Sequence, residues 1–202
     1  MDVFALFPTA IGYSNIKREL TATETKFIAK LEKTLVTNIG NSRTKETFVL
    51  NNPAMANIKK WINNQIDLYI AQANPIDKSK TNIYITQSWI NFSKPGEWHH
   101  SHYHRNAFIS GVFYIDANID KDKITFKSPF EPSIAYTPTS LNTYNTDEAN
   151  VQVQTGDLVL FPARMHHMVG VNERNQTRIS LSFNTFLRGE LDSTERLTNL
   201  VL

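Results

Sequence analysis

All six histidines of this 202-residue chain fall in two short runs. His99, His100, His102 and His104 form one, and His166 with His167 forms the other. Histidine spent on general packing or on solvated surface scatters along a chain, so the fold has to bring these two stretches together. One metal ion held between them is the economical reason. Alternate residues of a strand share a face, so His100, His102 and His104 line up while His99 faces the other way. Same-face neighbours lie about 6.5–7 Å apart at Cα and imidazole–metal bonds are about 2.1 Å long, so an H-x-H pair converges on one ion. The alternative, polar histidines on a solvated strand edge, leaves the second cluster on a later apolar strand without a cause. His166 and His167 point in opposite directions, and the pattern expects His166 in a supporting or surface position.

The rest of the chain reads as helices followed by strands. Residues 3 to 16 suggest a short strand broken by Pro8 and Gly12. Thr21 with Glu24 is a capping-box signature. Phe27, Ile28, Leu31, Leu35 and Val36 then recur at helical spacing up to Asn38-Ile39-Gly40. Asn52-Pro53 opens a second helix, with proline at its first position. Its apolar face carries Met55, Ile58, Trp61, Ile62, Ile66, Tyr69, Ile70 and Ala73. Beyond it the β-branched and aromatic run 83–92 predicts a strand. A turn at Lys94-Pro95-Gly96 leads into the histidine run. Further strands are expected over 107–115, where Gly111 signals a bulge or a close backbone approach, and over 123–127. The Pro-, Thr- and Asn-rich stretch 128–150 reads as a loop, expected to act as a lid over the site. Gly156-Asp157 turns into the strand LVLFP, and RISLSFNTF is the last strand. That strand puts Arg178, Ser180, Ser182 and Asn184 on one face and Ile179, Leu181 and Phe183 on the other. The apolar face suits packing on the helices, and the polar face has to line something wet.

Composition narrows the class. With 41% hydrophobic and 20% charged residues the chain is an ordinary globular one, most simply a single domain over 1–202. Residues 1–82 form a helical support, 83–187 a core and 188–202 a tail that carries no signal. Helices first and strands after predict an α+β fold with a jelly-roll core, the helices packed on one sheet. The formal net charge is +2 and the basic residues are dispersed, so no dedicated nucleic-acid surface is expected. The absence of cysteine removes disulfides, thiolate ligands and cysteine nucleophiles. The N-terminal MDVFALFPTAIGY resembles neither a signal peptide nor a membrane span, so a cytoplasmic protein without membrane partners is the expectation.

Arg178 adds a second chemistry. An arginine inside a barrel is costly unless an anion pairs with it. A guanidinium beside a hydroxyl, here Ser180 two residues on, is a good fork for a carboxylate. The site therefore combines a metal near one end with a carboxylate receptor deeper in.

The order H-x-H, then His, then ten residues, then R-x-S resembles the Fe(II)/2-oxoglutarate-dependent oxygenases. It is closest in pattern to a phage and bacterial group of 2-oxoglutarate-Fe(II) oxygenases that carry H-x-H. The matching residues are Trp89-Ile90-Asn91, Gly96 with His99, His102 and His104, and Ser110-Gly111-Val112-Phe113-Tyr114. Phe161-Pro162 with His167, Arg178-Ile179-Ser180-Leu181-Ser182-Phe183-Asn184 and, near the start, Leu6-Phe7-Pro8-Thr9 complete the set. The resemblance implies a double-stranded β-helix (jelly roll) and a dioxygenase of the hydroxylase type using Fe(II), 2-oxoglutarate and O₂. It implies His102 and His167 as two metal ligands, with His104 where most of the superfamily has Asp or Glu. Arg178 and Ser180 match the pair on the distal carboxylate of 2-oxoglutarate, and Asn91 an amide that helps to hold it. Asp116 and Asp157 are the other carboxylates considered for the metal, but neither has the spacing. A cupin-like three-histidine metalloenzyme that does not use 2-oxoglutarate and a non-enzymatic jelly-roll binding module are the alternatives. For the substrate a peptide side chain, a nucleobase and a small metabolite stay open, in the host cytoplasm if the chain is phage-encoded.

Overall fold

The capping box at Thr21 forms in the structure, a computed structural model that describes residues 1–129 and 134–202. Thr21 Oγ1 accepts from the Glu24 N–H at 3.2 Å, and the Thr21 N–H donates to Glu24 Oε2 at 2.7 Å. This satisfies two backbone donors and starts helix α1 (Ala22–Leu31). The helix ends sooner than the apolar periodicity predicts. Glu32–Thr34 tighten into a 3-10 turn, and β2 (Leu35–Thr37) pairs with β3 (Ser42–Thr44) as a hairpin. Val36 and Thr37 are β-branched, and Gly40 supplies the turn at φ +83°. A Cβ on Gly40 would lie 2.6 Å from the Trp98 carbonyl oxygen, so only glycine lets the histidine-bearing segment pass so close. The second helix opens where expected. Asn52 Oδ1 accepts from the Ala54 N–H at 3.0 Å, a 3-10 turn spans Pro53–Met55, and α2 runs Ala56–Ala73.

The remaining strands are β1 (Gly12–Asn15), β4 (Thr81–Ser93), β5 (His99–His102), β6 (Ile109–Asp116), β7 (Lys123–Lys127), β8 (Glu148–Gln152), β9 (Asp157–Pro162), β10 (His167–Val169), β11 (Arg178–Leu191) and β12 (Leu200–Val201). The larger sheet has the order β1-β9-β6-β11-β4-β3-β2, with β12 on the far part of β11. The smaller one is β5-β10-β7-β8. Pairing between the named strands is antiparallel, and the two sheets form a jelly roll that does not close into a barrel. The tail takes part: β11 continues to Leu191 and holds Leu200–Val201 against it. The loop expected to act as a lid joins β7 to β8, and residues 130–133 of it lie outside the described residues. No helix among the described residues is long and apolar enough to cross a membrane.

The large sheet separates its two faces by parity. Ile90, Phe92, Phe113, Leu158, Leu160, Leu181 and Phe183 bury against Ile58, Ile62, Ile66 and Ile70 of α2 and Ile28 of α1. Burying each such side chain contributes about 1.5–3 kcal/mol. Trp61 meets Phe113 edge-on at 5.9 Å. The opposite face carries the polar residues and looks toward the small sheet. There a second cluster, Tyr114, Ile124, Phe126, Val153, Val159 and Phe161, closes one end.

Gly111 is the tightest point of the helix-facing side. A Cβ there would lie 2.2 Å from Phe183 Cζ and 2.8 Å from Leu160 Cδ2. Gly111→Ala should therefore destabilise the fold by about 1–3 kcal/mol through overpacking. Chemical denaturation measures this, and Phe183→Leu in the same chain should recover part of the loss. An unchanged midpoint in Gly111→Ala would show that the sheet gives way freely here.

Candidate metal centre and its cavity

The two histidine runs meet because β5 and β10 are neighbours, with His102 directly opposite His167. His104 lies past the end of β5, where its N–H donates to the Ala163 carbonyl at 2.9 Å. The ring centroids of His102 and His167 are 4.3 Å apart, those of His102 and His104 5.1 Å, and those of His104 and His167 5.2 Å. One nitrogen from each of the three falls within 4.8 Å of the others. The expected gathering of His102, His104 and His167 is therefore present in the geometry.

His99 departs from the expected parity. Its ring stacks on His102 at 4.5 Å, and nitrogens of His99, His100 and His102 also lie within 4.8 Å of one another. The cause is a register shift. His102 faces His167 but His99 faces Val169, so three steps on β5 oppose two on β10. Such a bulge re-aims side chains and cancels strict alternation. His166 behaves as expected: it is exposed, with its ring 4.8 Å from that of Tyr103.

Neighbouring groups set which ring nitrogen is free. His102 Nδ1 lies 2.8 Å from the His100 carbonyl oxygen and His167 Nδ1 3.0 Å from that of Met165. A carbonyl only accepts, so each Nδ1 carries the proton and each Nε2 keeps its lone pair for a metal. His104 Nδ1 lies 3.4 Å from Asn184 Nδ2, and Asn184 Oδ1 accepts from Ser110 Oγ at 2.7 Å. The Ser110 hydroxyl can donate or accept, so a half-turn of this amide would bring Oδ1 to His104 and favour the same tautomer there. Asn184 was legible only as one polar residue on the last strand's inner face. Burial, reinforced by the neighbouring imidazoles, holds His104 down to about 4 and His167 to about 3, and His102 is lowered for the same first reason. Phe161 packs on His167 at 4.6 Å and supplies much of that dry wall. These rings are neutral ligands in waiting. Asp116 instead pairs with Arg174, and Asp157 accepts from Tyr13 Oη at 2.5 Å and Asn15 Nδ2 at 2.7 Å. Neither carboxylate joins the histidine groups.

Deeper along the polar face, one row crosses three strands, with Tyr114, Ser180 and Asn91 directly opposite one another. Arg178 is buried next to this row. It already has an anion: Nη1 donates to Asp122 Oδ1 at 3.1 Å, and Nη2 donates to the Gly170 carbonyl at 3.3 Å. Arg174 shares Asp122 from the other side at 3.2 Å. Sequence reasoning passed over Asp122, which sits in an irregular turn with no periodic signal. Tyr114 was quoted within a motif without a role, although strand parity from Ser110 puts it on the inner face. Its buried Oη has no hydrogen-bond partner, and neither has Asn91 Oδ1, while Asn91 Nδ2 donates to Ser182 Oγ at 3.0 Å. A half-turn of that amide lets Ser182 donate to Oδ1 and frees Nδ2 to donate into the cavity. Buried polar atoms are rarely left unpaired, so these two atoms await a polar guest.

The depressed histidines make the metal-free protein acid-sensitive. Below the ordinary value of about 6.5 the unfolded chain takes up protons that the folded cluster refuses. Stability present above pH 6.5 is thus lost as pH falls toward 4, by up to about 1.4 kcal/mol per pH unit for each of His104 and His167. Urea midpoints of the metal-free protein between pH 7 and 5 should fall accordingly, with a shallower slope in His104→Gln/His167→Gln. An equal slope in that double variant would assign the acid sensitivity elsewhere.

Residues 87–184, from β4 into β11, match the family model described as "Putative 2OG-Fe(II) oxygenase". No curated protein matches the chain in sequence. Solved structures share its fold at low identity. An oxidoreductase of the 2OG-Fe(II) oxygenase family from Burkholderia pseudomallei is 10% identical with a TM-score of 0.56, covering 86% of this chain and 84% of its own. A prolyl-4-hydroxylase from Pseudomonas putida is 13% identical with a TM-score of 0.57, covering 87% and 92%. HygX from Streptomyces hygroscopicus, solved with nickel, 2-oxoglutarate and hygromycin B, is 11% identical with a TM-score of 0.55, covering 86% and 82%. The matched segment contains the converging histidines, the buried arginine and the polar row with its unpaired atoms, and over that segment, just under half of the chain, the sequence is similar to the 2OG-Fe(II) oxygenases.

Proposed function

We propose that His102, His104 and His167 hold the iron, that Arg178, Ser180 and Asn91 receive 2-oxoglutarate, and that the outcome is hydroxylation of a small polar molecule. The overall change is R–H + 2-oxoglutarate + O₂ giving R–OH + succinate + CO₂. The observation that carries the assignment is three imidazoles with converging nitrogens beside a buried face that leaves Tyr114 Oη and Asn91 Oδ1 without partners. That donor set suits a divalent first-row metal. The bound iron with its co-substrate supplies the oxidising power for C–H cleavage.

The chain's own part is positioning. The His100 and Met165 carbonyls hold His102 and His167 in the ligating tautomer, and Asn184 would do the same for His104 with its amide turned over. Phe161 and Phe126 keep water from the His167 side. Tyr114 Oη is a donor at neutral pH, because burial first of all pushes its phenol far above the ordinary value. Arg178 keeps donors beyond its contacts with Asp122 and Gly170, and a carboxylate there is met by a charged fork, the Ser180 hydroxyl and the Tyr114 phenol. HygX, solved with hygromycin B, and the shared fold support a small-molecule substrate. The whole chain is read as one such unit, with residues 1–82 supporting the core at 83–187.

Alanine at His102, His104 or His167 should abolish tight Fe(II) binding, while His166→Ala keeps most of it, read by anaerobic titration with folding checked by circular dichroism. Arg178→Ala should weaken 2-oxoglutarate by roughly 2–5 kcal/mol, about 30- to several-thousand-fold, with Fe(II) affinity unchanged. Arg178→Lys should recover part of this, and Ser180→Ala should cost about 0.5–1.5 kcal/mol. Tyr114→Phe separates the roles: it should leave folding stability unchanged or raised, since its hydroxyl has no partner, and still weaken 2-oxoglutarate. Wild-type affinity in folded Arg178→Ala would remove the assignment of Arg178.

A further inference from the structure

The polar row Tyr114–Ser180–Asn91 does not stop at β4. Its next member is Arg43 of β3, directly opposite Asn91. Arg43 is half-buried, and its Nη1 donates to the carbonyl of its own neighbour Thr44 at 2.9 Å. Among the described residues no carboxylate lies within ion-pair distance of it, whereas Arg174 and Arg178 are both neutralised. This guanidinium opens on a cavity of about 330 Å³, whose other walls include Asn38, Gln87, Trp89 and the rings of His102 and His104. That volume falls at the small end of the range of about 300–1,000 Å³ for small-ligand sites.

The wall chemistry divides the cavity into two ends. At one, a planar charged fork with the Gln87 amide on the same wall suits a carboxylate. At the other, the Trp89 indole, 5.9 Å from His104, offers an apolar face for a carbon skeleton next to two of the proposed iron ligands. A half-buried cation without a counter-ion carries a desolvation cost that an incoming anion offsets.

We propose that this cavity is the subsite for the molecule to be oxidised, and that it takes a small carboxylate. Its acid group lies on Arg43 and Gln87, and its carbon framework lies along Trp89 toward His102 and His104. The assignment rests on His102, His104 and His167 being the iron centre. It gives the site two separate carboxylate receptors, Arg178 for the co-substrate and Arg43 for the substrate.

The test uses the anaerobic Fe(II) protein with saturating 2-oxoglutarate, and benzoate with its neutral isostere benzamide as probes. Binding is read by broadening of the probes' proton resonances near the paramagnetic iron and by calorimetry. Benzoate should bind at least about tenfold more tightly than benzamide. Arg43→Gln should remove that preference, with 2-oxoglutarate affinity changed less than about twofold, and Arg43→Lys should restore part of it. Equal binding of the two probes to the wild type overturns the proposal even if the Arg43 variants fail to fold. So does unchanged benzoate binding in folded Arg43→Gln. If Arg43→Gln weakens 2-oxoglutarate about tenfold instead, Arg43 belongs to the co-substrate and the substrate assignment falls. Failure of the iron-centre reading shows separately, as a wild type that binds no 2-oxoglutarate in the presence of Fe(II).

Discussion

The pairing of β4 with β11 is the constraint on which the rest of the structure depends. It runs from Arg178 opposite Ser93 to Gly189 opposite Thr81, with one shift after Asn184. Side-chain direction alternates along both strands, so this register decides together what faces the helices and what faces the cavity. A slip of one residue would send Leu181 and Phe183 into the site and Ser180, Ser182 and Asn184 against α2. The apolar core on one side thus locks the polar row on the other. Because β6 and β3 are registered on the same pair, Tyr114 and Arg43 inherit their places from it.

The same architecture sets the electrostatics. The small sheet carries the histidines across from that polar face, and Phe126, Val159 and Phe161 close one end. Low polarity there keeps the imidazoles uncharged, which is the state a metal needs. It also makes every unpaired charge costly, and the chain answers with Asp116 and Asp122 against Arg174 and Arg178. Arg43 stands outside this balance: among the described residues no carboxylate pairs with it, so an anion from outside the chain would meet a whole charge there.

Much of this was legible in the sequence, and the reasons for the gaps are physical. The two helices announced themselves through a capping box, a proline start and apolar periodicity. The last strand's alternation gave its two faces. His102, His104 and His167 followed from spacing together with family resemblance, and the structure brings them together. Local pattern failed where tertiary pairing overruled it. Leu35 and Val36 fit a helical stripe yet form a hairpin, because Gly40 allows the chain to turn beneath Trp98. His99 obeys no alternation, because a bulge sits between β5 and β10. Asp122 and Arg174 lie in turns without periodicity, so only the folded chain shows that they meet Arg178.

The proposed all-nitrogen ligand set has a consequence for what the site would tolerate. A carboxylate ligand would cancel part of the charge of a divalent iron before any co-substrate arrived. Three neutral imidazoles, as proposed for His102, His104 and His167, would leave that charge whole, and the dianion of 2-oxoglutarate would then bring metal and co-substrate together to neutrality. With a carboxylate in place of His104 the same assembly would carry a surplus negative charge, and a second organic acid close by would be repelled. Across a few ångströms of low-dielectric cavity such repulsion amounts to several kcal/mol at an effective dielectric constant of about 20. The histidine at position 104 and the unpaired arginine at position 43 line the same cavity and favour the same thing. In the proposed assignment one would withhold a negative charge from the metal and the other would supply a positive one, and both would lessen the repulsion between a carboxylate-bearing substrate and an anionic co-substrate.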